Sequence, residues 1–575
     1  MPATLMPETQ AHAIGLDFGT NSCRSLLVNL RTGEEIATAV FDYPSGEAGV
    51  VLDPSDANIA RQNPRDYIEG TFAIVREALA LAAEKDPAFT PQSVIAIGVD
   101  TTGSTPIPVD ETTAPLSLRE EFSTNPNAMA WLWKDHSSAT EAAEITRLAS
   151  EMRPRFLAKC GGTYSSEWFW SKLWRLLKVD PQVFSATASF VELCDFIPAL
   201  LTGASSPAAI KRSRCAAGHK AMFDPEWGGL PDQEFLTALD PALAAFRAKL
   251  YRESHTSDQP AGTLSQEWAA KLGLSEHVVV GIGAFDAHMG AVGSGVEPGT
   301  MVKILGTSTC DIMVSPGGEN PGDIPGVCGI VQGSVTPDTY GIEAGQSAVG
   351  DIFLSFVNHL TPDSYGTTSA EKFAKLGEAA AELRPGESGL LALDWHNGNR
   401  TILVDPRLTG LILGQTLHTR PHEIYRALVE ATAFGALTIV NRIEEYGVPV
   451  ERIINCGGLA SKNSLLMQIY ADVLNRPMHL VSSDQTCALG AALLAAVAAG
   501  PERGGYSSIA KGQQTLCRLA ETSYHPDPTN HATYRKLHEL YITLHDAFGH
   551  TGTPATSLHH VMKELLAIQA EVKNS

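Results

Sequence analysis

The pattern Gly-Thr-x-(Ser/Thr)-Cys occurs twice in the chain, as GTNSC at residues 19–23 and GTSTC at residues 306–310, each time between two apolar runs. AIGLDFGTNSCRSLLVN and MVKILGTSTCDIMVS both read as strand, small-residue turn, strand, the signature of a β-hairpin. One such turn is ordinary chemistry, since Gly, Ser, Thr and Asn serve any tight hairpin. The same five-residue pattern in both halves is a stronger constraint, because turn formers can be arranged in many other orders. It favours a functional role for the two turns together.

At 575 residues the chain exceeds what a single core usually supports, so two large domains and an added C-terminal piece are expected. Hydrophobic residues make up 44% and charged residues 18%, an ordinary globular balance. The formal net charge of -22 would repel a phosphate backbone, and no Lys/Arg-rich run is interleaved with aromatics, which argues against nucleic acid as a partner. Nine cysteines, odd in number and never in a C-x-x-C pair, point to the reduced thiols of a cytoplasmic protein rather than a disulfide frame or a zinc site. The N-terminal MPATLMPETQAHAIGLDF shows no basic segment followed by an apolar one, so no secretory signal is expected. The most apolar helical pattern, CALGAALLAAVAAG at 487–500, is well short of the roughly 20 residues that span a bilayer, so no membrane partner is expected either.

Along the chain, the first hairpin is followed by a helical pattern from Pro64 to Ala83, then the strand SVIAIGVD ending at Asp100 and the turn TTGS. Strands alternating with helices place the chain in the α/β class. Residues 127–203 are rich in aromatics and helical in pattern, and Trp and Phe in such runs are more often core than site. After a less regular stretch, HVVVGIGAF delivers Asp286 at the start of the helical DAHMGAVGSG. The second hairpin, the EAGQSAVGD segment and a long helix across HEIYRALVEATAFGALTIVNRI come next. IINCGG reads as a buried strand ending in two glycines, and MHLVSS with CALGAALLAAVAAG completes a β-α-β-α unit. The segment from about residue 525 is polar, helical in pattern and without a legible motif, which reads as a peripheral addition.

No Gly-Lys dipeptide occurs, so a Walker A loop is absent. GIGAFDAHMG begins like a dinucleotide fingerprint, but Asp286 stands where the third glycine belongs, and its carboxylate would repel a pyrophosphate. The hairpin turns, Gly19-Thr20-Asn21 and Gly306-Thr307-Ser308, offer another phosphate grip through backbone N–H groups and hydroxyls. Asp17, two residues before the first turn, is either a turn-stabilising carboxylate or the holder of a Mg²⁺ ion that stands between it and phosphate. In GGLASKN, Gly457 and Gly458 let a backbone approach a ring and Asn463 can bond a base edge, although the same loop is common between strands and helices. Asp286 sits where active-site carboxylates of α/β proteins often do, and where a helix N-cap would also sit. His288 reads as structural, because a lone Asp-x-His is poor support for a metal.

Together these residues resemble the FGGY family of carbohydrate kinases, from about Ile14 to Gly500. The pieces that carry the resemblance include GLDFGTNSCRSL, GVDTTGSTPIPVD, NPNAMAWLWKDH, GGTYSSEWFWSKLWR, RCAAGHK, GAFDAHMGAVG, LGTSTCDIMV, GIEAGQSAVGD and GGLASKNSLLMQIYADVLNRP. NPNAM, LWKDH and the GTSTCDI turn are similar to the branch of the family that acts on L-ribulose. The resemblance implies an α/β fold of two actin-like, ribonuclease-H-like domains with a catalytic cleft between them. Residues 13–285 are the expected sugar-binding domain, 286–503 the nucleotide-binding domain and 504–575 a helical extension. The implied activity is ATP- and Mg²⁺-dependent phosphorylation of L-ribulose to L-ribulose 5-phosphate, a cytoplasmic step of L-arabinose catabolism. Alternatives are another pentulose or pentitol as substrate (D-ribulose, D-xylulose, ribitol) or an actin-like ATPase that takes no sugar. By resemblance, Asp286 is the general base, Thr20 and Thr307 grip phosphate, Asp17 lies near Mg²⁺, and Gly458 with Asn463 meets adenine, with Gly350 as a further wall. Trp133, Lys220 and Glu343 are the implied sugar contacts, Trp133 having the core as its alternative. A homodimer is the family-level expectation. Residues before Ala13 and after Gly500 carry no familiar motif.

Overall fold

The computed structural model describes residues 11–550, 558 and 561–574; the first ten residues, most of the N-terminal extension, lie outside them. Two seven-stranded sheets repeat one plan. The first is built from β1 (His12–Phe18), β2 (Ser22–Asn29), β3 (Glu35–Asp42), β4 (Val94–Thr101), β5 (Pro260–Thr263), β6 (Val279–Gly281) and β7 (Ala284–Phe285), in the order β5-β6-β4-β1-β2-β3 with β7 beside β4. The second contains β8 (Thr300–Leu305), β9 (Thr309–Val314), β10 (Gly329–Gln332), β11 (Tyr340–Ala344), β12 (Arg452–Cys456), β13 (Met478–Val481) and β14 (Leu519–Tyr524), in the order β10-β11-β9-β8-β12-β13-β14. In each, an antiparallel meander (β1-β2-β3, β8-β9-β11) is extended by two strands parallel to its first (β4 and β6, β12 and β13). The strands nearest the middle are buried along nearly their whole length, which is why they read as apolar runs rather than alternating ones.

The helices that matter for the cleft are α1 (Pro64–Lys85), α2 (Arg214–Ala221), α3 (Asp286–Gly293), α4 (Gly350–Leu360), α5 (Pro421–Glu445), α6 (Ser464–Leu474), α7 (Thr486–Ala499) and α8 (Pro528–Gly549). The helical pattern read from Pro64 is α1, whose Asn63 caps it with Pro64 in the first turn. The long pattern beginning at His422 is α5.

The apolar, small-residue α7 follows β13 of the second sheet, yet it packs on the first. Three glycines permit this. Gly15 on β1 and Gly98 on β4 are register partners, and Gly281 on β6 lies one strand further on. A Cβ on Gly15 would fall 1.8 Å from the carbonyl oxygen of Ala488, and one on Gly98 1.9 Å from that of Ala491. A Cβ on Gly281 would touch the Ala495 side chain at 3.3 Å. Residues 488, 491 and 495 share one face of a 3.6-residue helix, so the helix backbone lies directly on a glycine stripe. On its other side α7 crosses α3, where a Cβ on Gly490 would come 1.8 Å from the Met289 carbonyl oxygen. The two helices thus form the layers between the sheets, and one hydrophobic cluster draws on both, from Ala13 and Ala96 to Val302 and Ile454.

The C-terminal segment departs from the expectation of a peripheral, purely helical piece. It contributes the strand β14 to the edge of the second sheet and buries Tyr534, Leu537, Leu540, Tyr541 and Leu544 of α8 in the second core. All nine cysteines are unpaired. Among the described residues, no helix is long and apolar enough to cross a membrane.

Candidate active site

The parallel arrangement of β1, β4 and β7 brings three carboxylates together at their C-terminal ends. Asp17 and Asp100 are register partners, and Asp286 follows β7, whose Phe285 pairs with Thr101. Asp286 is the first residue of α3 rather than its N-cap, a place held by Phe285. It is half-buried, and its Oδ1 accepts the N–H of Ala287 at 2.7 Å. Burial, then the negative charge of Asp17, pushes its carboxyl up to about 7. Asp17 faces Arg24 at 3.5 Å, and burial still holds it above the usual carboxylate range. Asp100 is fully buried with neither oxygen hydrogen-bonded, and burial followed by Asp17 and Asp286 drives it well above that range. The three carboxylates repel one another, and Arg24 offsets this only in part, since all three stay above the usual range.

Lys220 and Glu343 meet across the domains. Lys220, on α2, donates from Nζ to both oxygens of Glu343 on β11, at 3.1 and 3.3 Å, with both residues buried. Burial works against the ammonium, but Glu343 outweighs it and holds Lys220 above its ordinary value. Burial likewise opposes the Glu343 carboxylate, but Lys220 first, then the nearby imidazoles of His219 and His288 and the Arg400 guanidinium, hold it well below the usual range. A buried pair of this kind gains little stability once desolvation is counted.

The first turn is closed by Gly19 N–H to Ser22 O at 2.9 Å, the second by Gly306 N–H to Ser308 O at 3.0 Å, as the hairpin signature requires. Asn21 is exposed and bonds outward, its Nδ2 donating to Ala48 O. The N-terminus of α4 is docked on the second turn: Val349, Gly350 and Asp351 donate their N–H groups to the carbonyls of Thr307, Gly306 and Thr307. Gly350 therefore supports the turn, since a Cβ there would come 2.6 Å from Gly306 O. Gly457, at φ 93°, is tucked against Leu305 O just before the same turn, and Gly458 next to it opens onto free space. Asn463 caps α6, its Oδ1 accepting from Leu466 N–H at 3.0 Å while Nδ2 reaches Tyr425 OH at 3.3 Å. That leaves one amide proton for any other partner. On the first turn, Trp133 is half-buried and its indole N–H donates to Thr20 Oγ1 at 3.0 Å. The surrounding LWKDH motif explains that placement, because Asp135 is buried against Arg61, whose guanidinium lies 3.5 Å over the Trp131 ring.

Residues 12–293 match the N-terminal domain of the FGGY family of carbohydrate kinases, and residues 301–499 match its C-terminal domain. The chain belongs to this family. It is 43% identical to the ribulokinase of Vibrio parahaemolyticus, over 92% of this chain and 95% of that one. With the ribulokinase of Halalkalibacterium halodurans the identity is 41%, over 98% of each chain. Among solved structures, the xylulose kinase of Rhodospirillum rubrum superposes with a TM-score of 0.76 at 25% identity, covering 94% of this chain and all of the other. Plasmodium falciparum glycerol kinase with ADP shares the fold at a TM-score of 0.72 and 16% identity, over 93% and 98% of the two chains.

In this FGGY kinase three groups escape a sequence reading. Asp100 ends a strand just as Asp17 does, and the same logic that singles out Asp286 applies to it. Arg400 is signalled by nothing in its local sequence, yet its Nη2 bonds Thr309 O behind the second turn. Lys172 is buried and donates to Ser104 O, Trp131 O and Leu132 O at 2.8 to 3.2 Å, which fixes the segment that presents Trp133. The bond from Trp133 to Thr20 has a direct test. Trp133→Phe keeps the ring and removes the donor, so kcat/KM should fall roughly fivefold, the equivalent of about 1 kcal/mol for one hydrogen bond. Steady-state kinetics identical to the parent would make the bond incidental.

Proposed function

We propose that this kinase transfers the γ-phosphoryl group of ATP to the terminal hydroxyl of L-ribulose, giving L-ribulose 5-phosphate, as a cytoplasmic step of L-arabinose breakdown. The observation that carries the reading is the pairing, in one cleft, of a carboxylate held near neutrality with a buried Lys–Glu pair, in a chain about 40% identical to ribulokinases over nearly its whole length. In this reading residues 13–285 bind the sugar and residues 286–503 the nucleotide, while Glu343 reaches across from the second part to the sugar side.

Asp286 takes the hydroxyl proton as the sugar oxygen attacks the γ-phosphorus in line, which displaces ADP. A carboxylate near 7 is a competent base at neutral pH, whereas an ordinary aspartate would be a much weaker one. Lys220 and Glu343 orient the pentulose through its hydroxyls, a donor and an acceptor side by side. Backbone N–H groups and hydroxyls of Thr20 and Thr307 hold the phosphates, and the α4 N-terminus keeps the second turn rigid. Gly457 and Gly458 make room for the adenine, and the remaining Asn463 amide proton donates to it. The carboxylate corner fits Mg²⁺, because Asp100 has two buried oxygens without a partner and Asp17 lies beside it. Asp17 and Asp100 would hold the ion, which when bound supplies positive charge against the phosphates.

ADP release measured with free L-ribulose, D-ribulose, D-xylulose, ribitol and a set of aldoses tests the proposal. Stimulation by L-ribulose well above the others is expected. Preference for another sugar would correct the substrate, and stimulation by none would end the sugar-kinase reading.

A further inference from the structure

Two residues beyond Asp286 on α3, His288 meets a second buried histidine, His219, which precedes Lys220 on α2; their Nε2 atoms are 3.0 Å apart. His219 Nδ1 in turn lies 3.3 Å from Glu343 Oε2, and His288 Nε2 lies 3.8 Å from the same oxygen. Burial keeps both imidazoles neutral, His288 down to about 4 and His219 well below its ordinary value, so one proton lies between the facing Nε2 atoms. The anionic oxygen fixes which side carries it. It favours the tautomer in which His219 turns Nδ1–H toward Glu343, leaving its Nε2 as the bare acceptor of His288 Nε2–H. The Nδ1 approach lies off the line of a formed hydrogen bond and acts as a directed charge–dipole contact.

The slot for His219 is built into the second domain. Gly329 on β10 is the register partner of Glu343, and a Cβ there would fall 2.2 Å from His219 Nδ1. One residue before His219, Gly218 allows a similar approach, since a Cβ on it would come 2.2 Å from Val331. Helix α2 of the first domain is therefore seated on the edge of the second sheet, with the imidazole filling the space opposite Glu343.

We propose that His288 and His219 are positioning residues that hold the Glu343 carboxylate, and through it Lys220, in the orientation that receives the pentulose. The inference rests on the sugar role given to Glu343 and Lys220 above. The relay starts on the helix that carries the general base and ends on the carboxylate that faces the sugar, so it sets the sugar pocket in register with the base when the domains meet. The Lys220 ammonium at 3.1 Å already supplies the cation that Glu343 needs, so a positioning histidine pair accounts for the cluster without a metal ion.

Steady-state kinetics of His288→Phe, His288→Gln and Gly329→Ala test this, each checked for folding by its thermal midpoint. His288→Phe keeps a ring, somewhat larger than the imidazole, without a donor and should raise KM for the pentulose about tenfold or more, in line with a lost hydrogen bond in a charged network, while KM for ATP and kcat at saturating sugar stay within about threefold. His288→Gln returns a donor near the Nε2 position and should recover most of that loss, which a packing role would not. Gly329→Ala pushes His219 from its place opposite Glu343 and should shift the same constant in the same direction. A pentulose KM unchanged in His288→Phe, or a Gln variant no better than Phe, would overturn the relay. Zn²⁺ that binds the parent in competition with the pentulose, and does not bind His288→Phe, would overturn it in favour of a metal site. A parent that phosphorylates no pentulose would instead remove the functional reading beneath it.

Discussion

Asp286→Asn should fold and bind ATP as the parent does while its kcat falls by roughly a hundredfold to ten-thousandfold, the range of a general-base contribution. The amide is isosteric and can still accept from Ala287 N–H, so the start of α3 keeps its geometry. What it loses is the ability to take the hydroxyl proton. The pH dependence should carry the same signature. Asp286 is raised to about 7 by burial and by Asp17, so a large fraction is protonated, and inactive as a base, at slightly acid pH. In the parent, kcat/KM for the sugar should therefore rise about tenfold per pH unit below 7 and level off above it, as for any essential base. The residual activity of Asp286→Asn should lack that limb. Turnover within a few-fold of the parent would reduce Asp286 to a helix-start residue, and an acid limb near 4 would show a carboxylate that the corner does not perturb.

The parts of this site legible in the sequence are those whose chemistry is local. A hairpin turn declares itself through Gly, Thr, Ser and Asn between two apolar runs, and both turns lie where that pattern puts them. Asp286 is readable because a strand ends and a helix begins at it. Asp100 ends a strand in the same way, but its importance depends on β4 lying between β1 and β7, and strand order is a property of the whole fold. Asn463 illustrates the opposite case. Its local sequence also fits a helix cap, three residues before Leu466, and the structure gives it that bond. The C-terminal segment from about residue 525 reads as peripheral because it is polar and carries no motif. Tyr534, Leu537, Tyr541 and Leu544 nevertheless recur at helical spacing and mark a buried face of α8. His219 and His288 are far apart in the chain and near no shared motif; the packing of α2 against β7, which leads into α3, brings them together.

Gly98→Ala should be among the most damaging single methyl groups that can be added to this protein. The new Cβ would lie 1.9 Å from the carbonyl oxygen of Ala491 and 2.2 Å from its carbon, so α7 has to lift off the first sheet by an ångström or more. The colliding atoms are backbone in the middle of a 14-residue helix whose inner residues are nearly all buried, with no flexible side chain to give way. A loss of about 3 kcal/mol or more is expected, the upper end of what overpacked cores cost. Activity should fall as well, because Gly98 is two residues from Asp100 on the same strand and α7 also packs against α3, which begins with Asp286. Two further variants separate this mechanism from a general intolerance of glycine replacement. Adding Ala491→Gly should recover nothing, since the clash is with a carbonyl that glycine retains. Gly458→Ala has no atom within 4 Å of the new Cβ and should change stability by no more than about 0.5 kcal/mol. A Gly98→Ala protein that unfolds at the same denaturant concentration as the parent would mean that α7 is free to shift on the first sheet, and that the glycine stripe does not set the distance between the two domains.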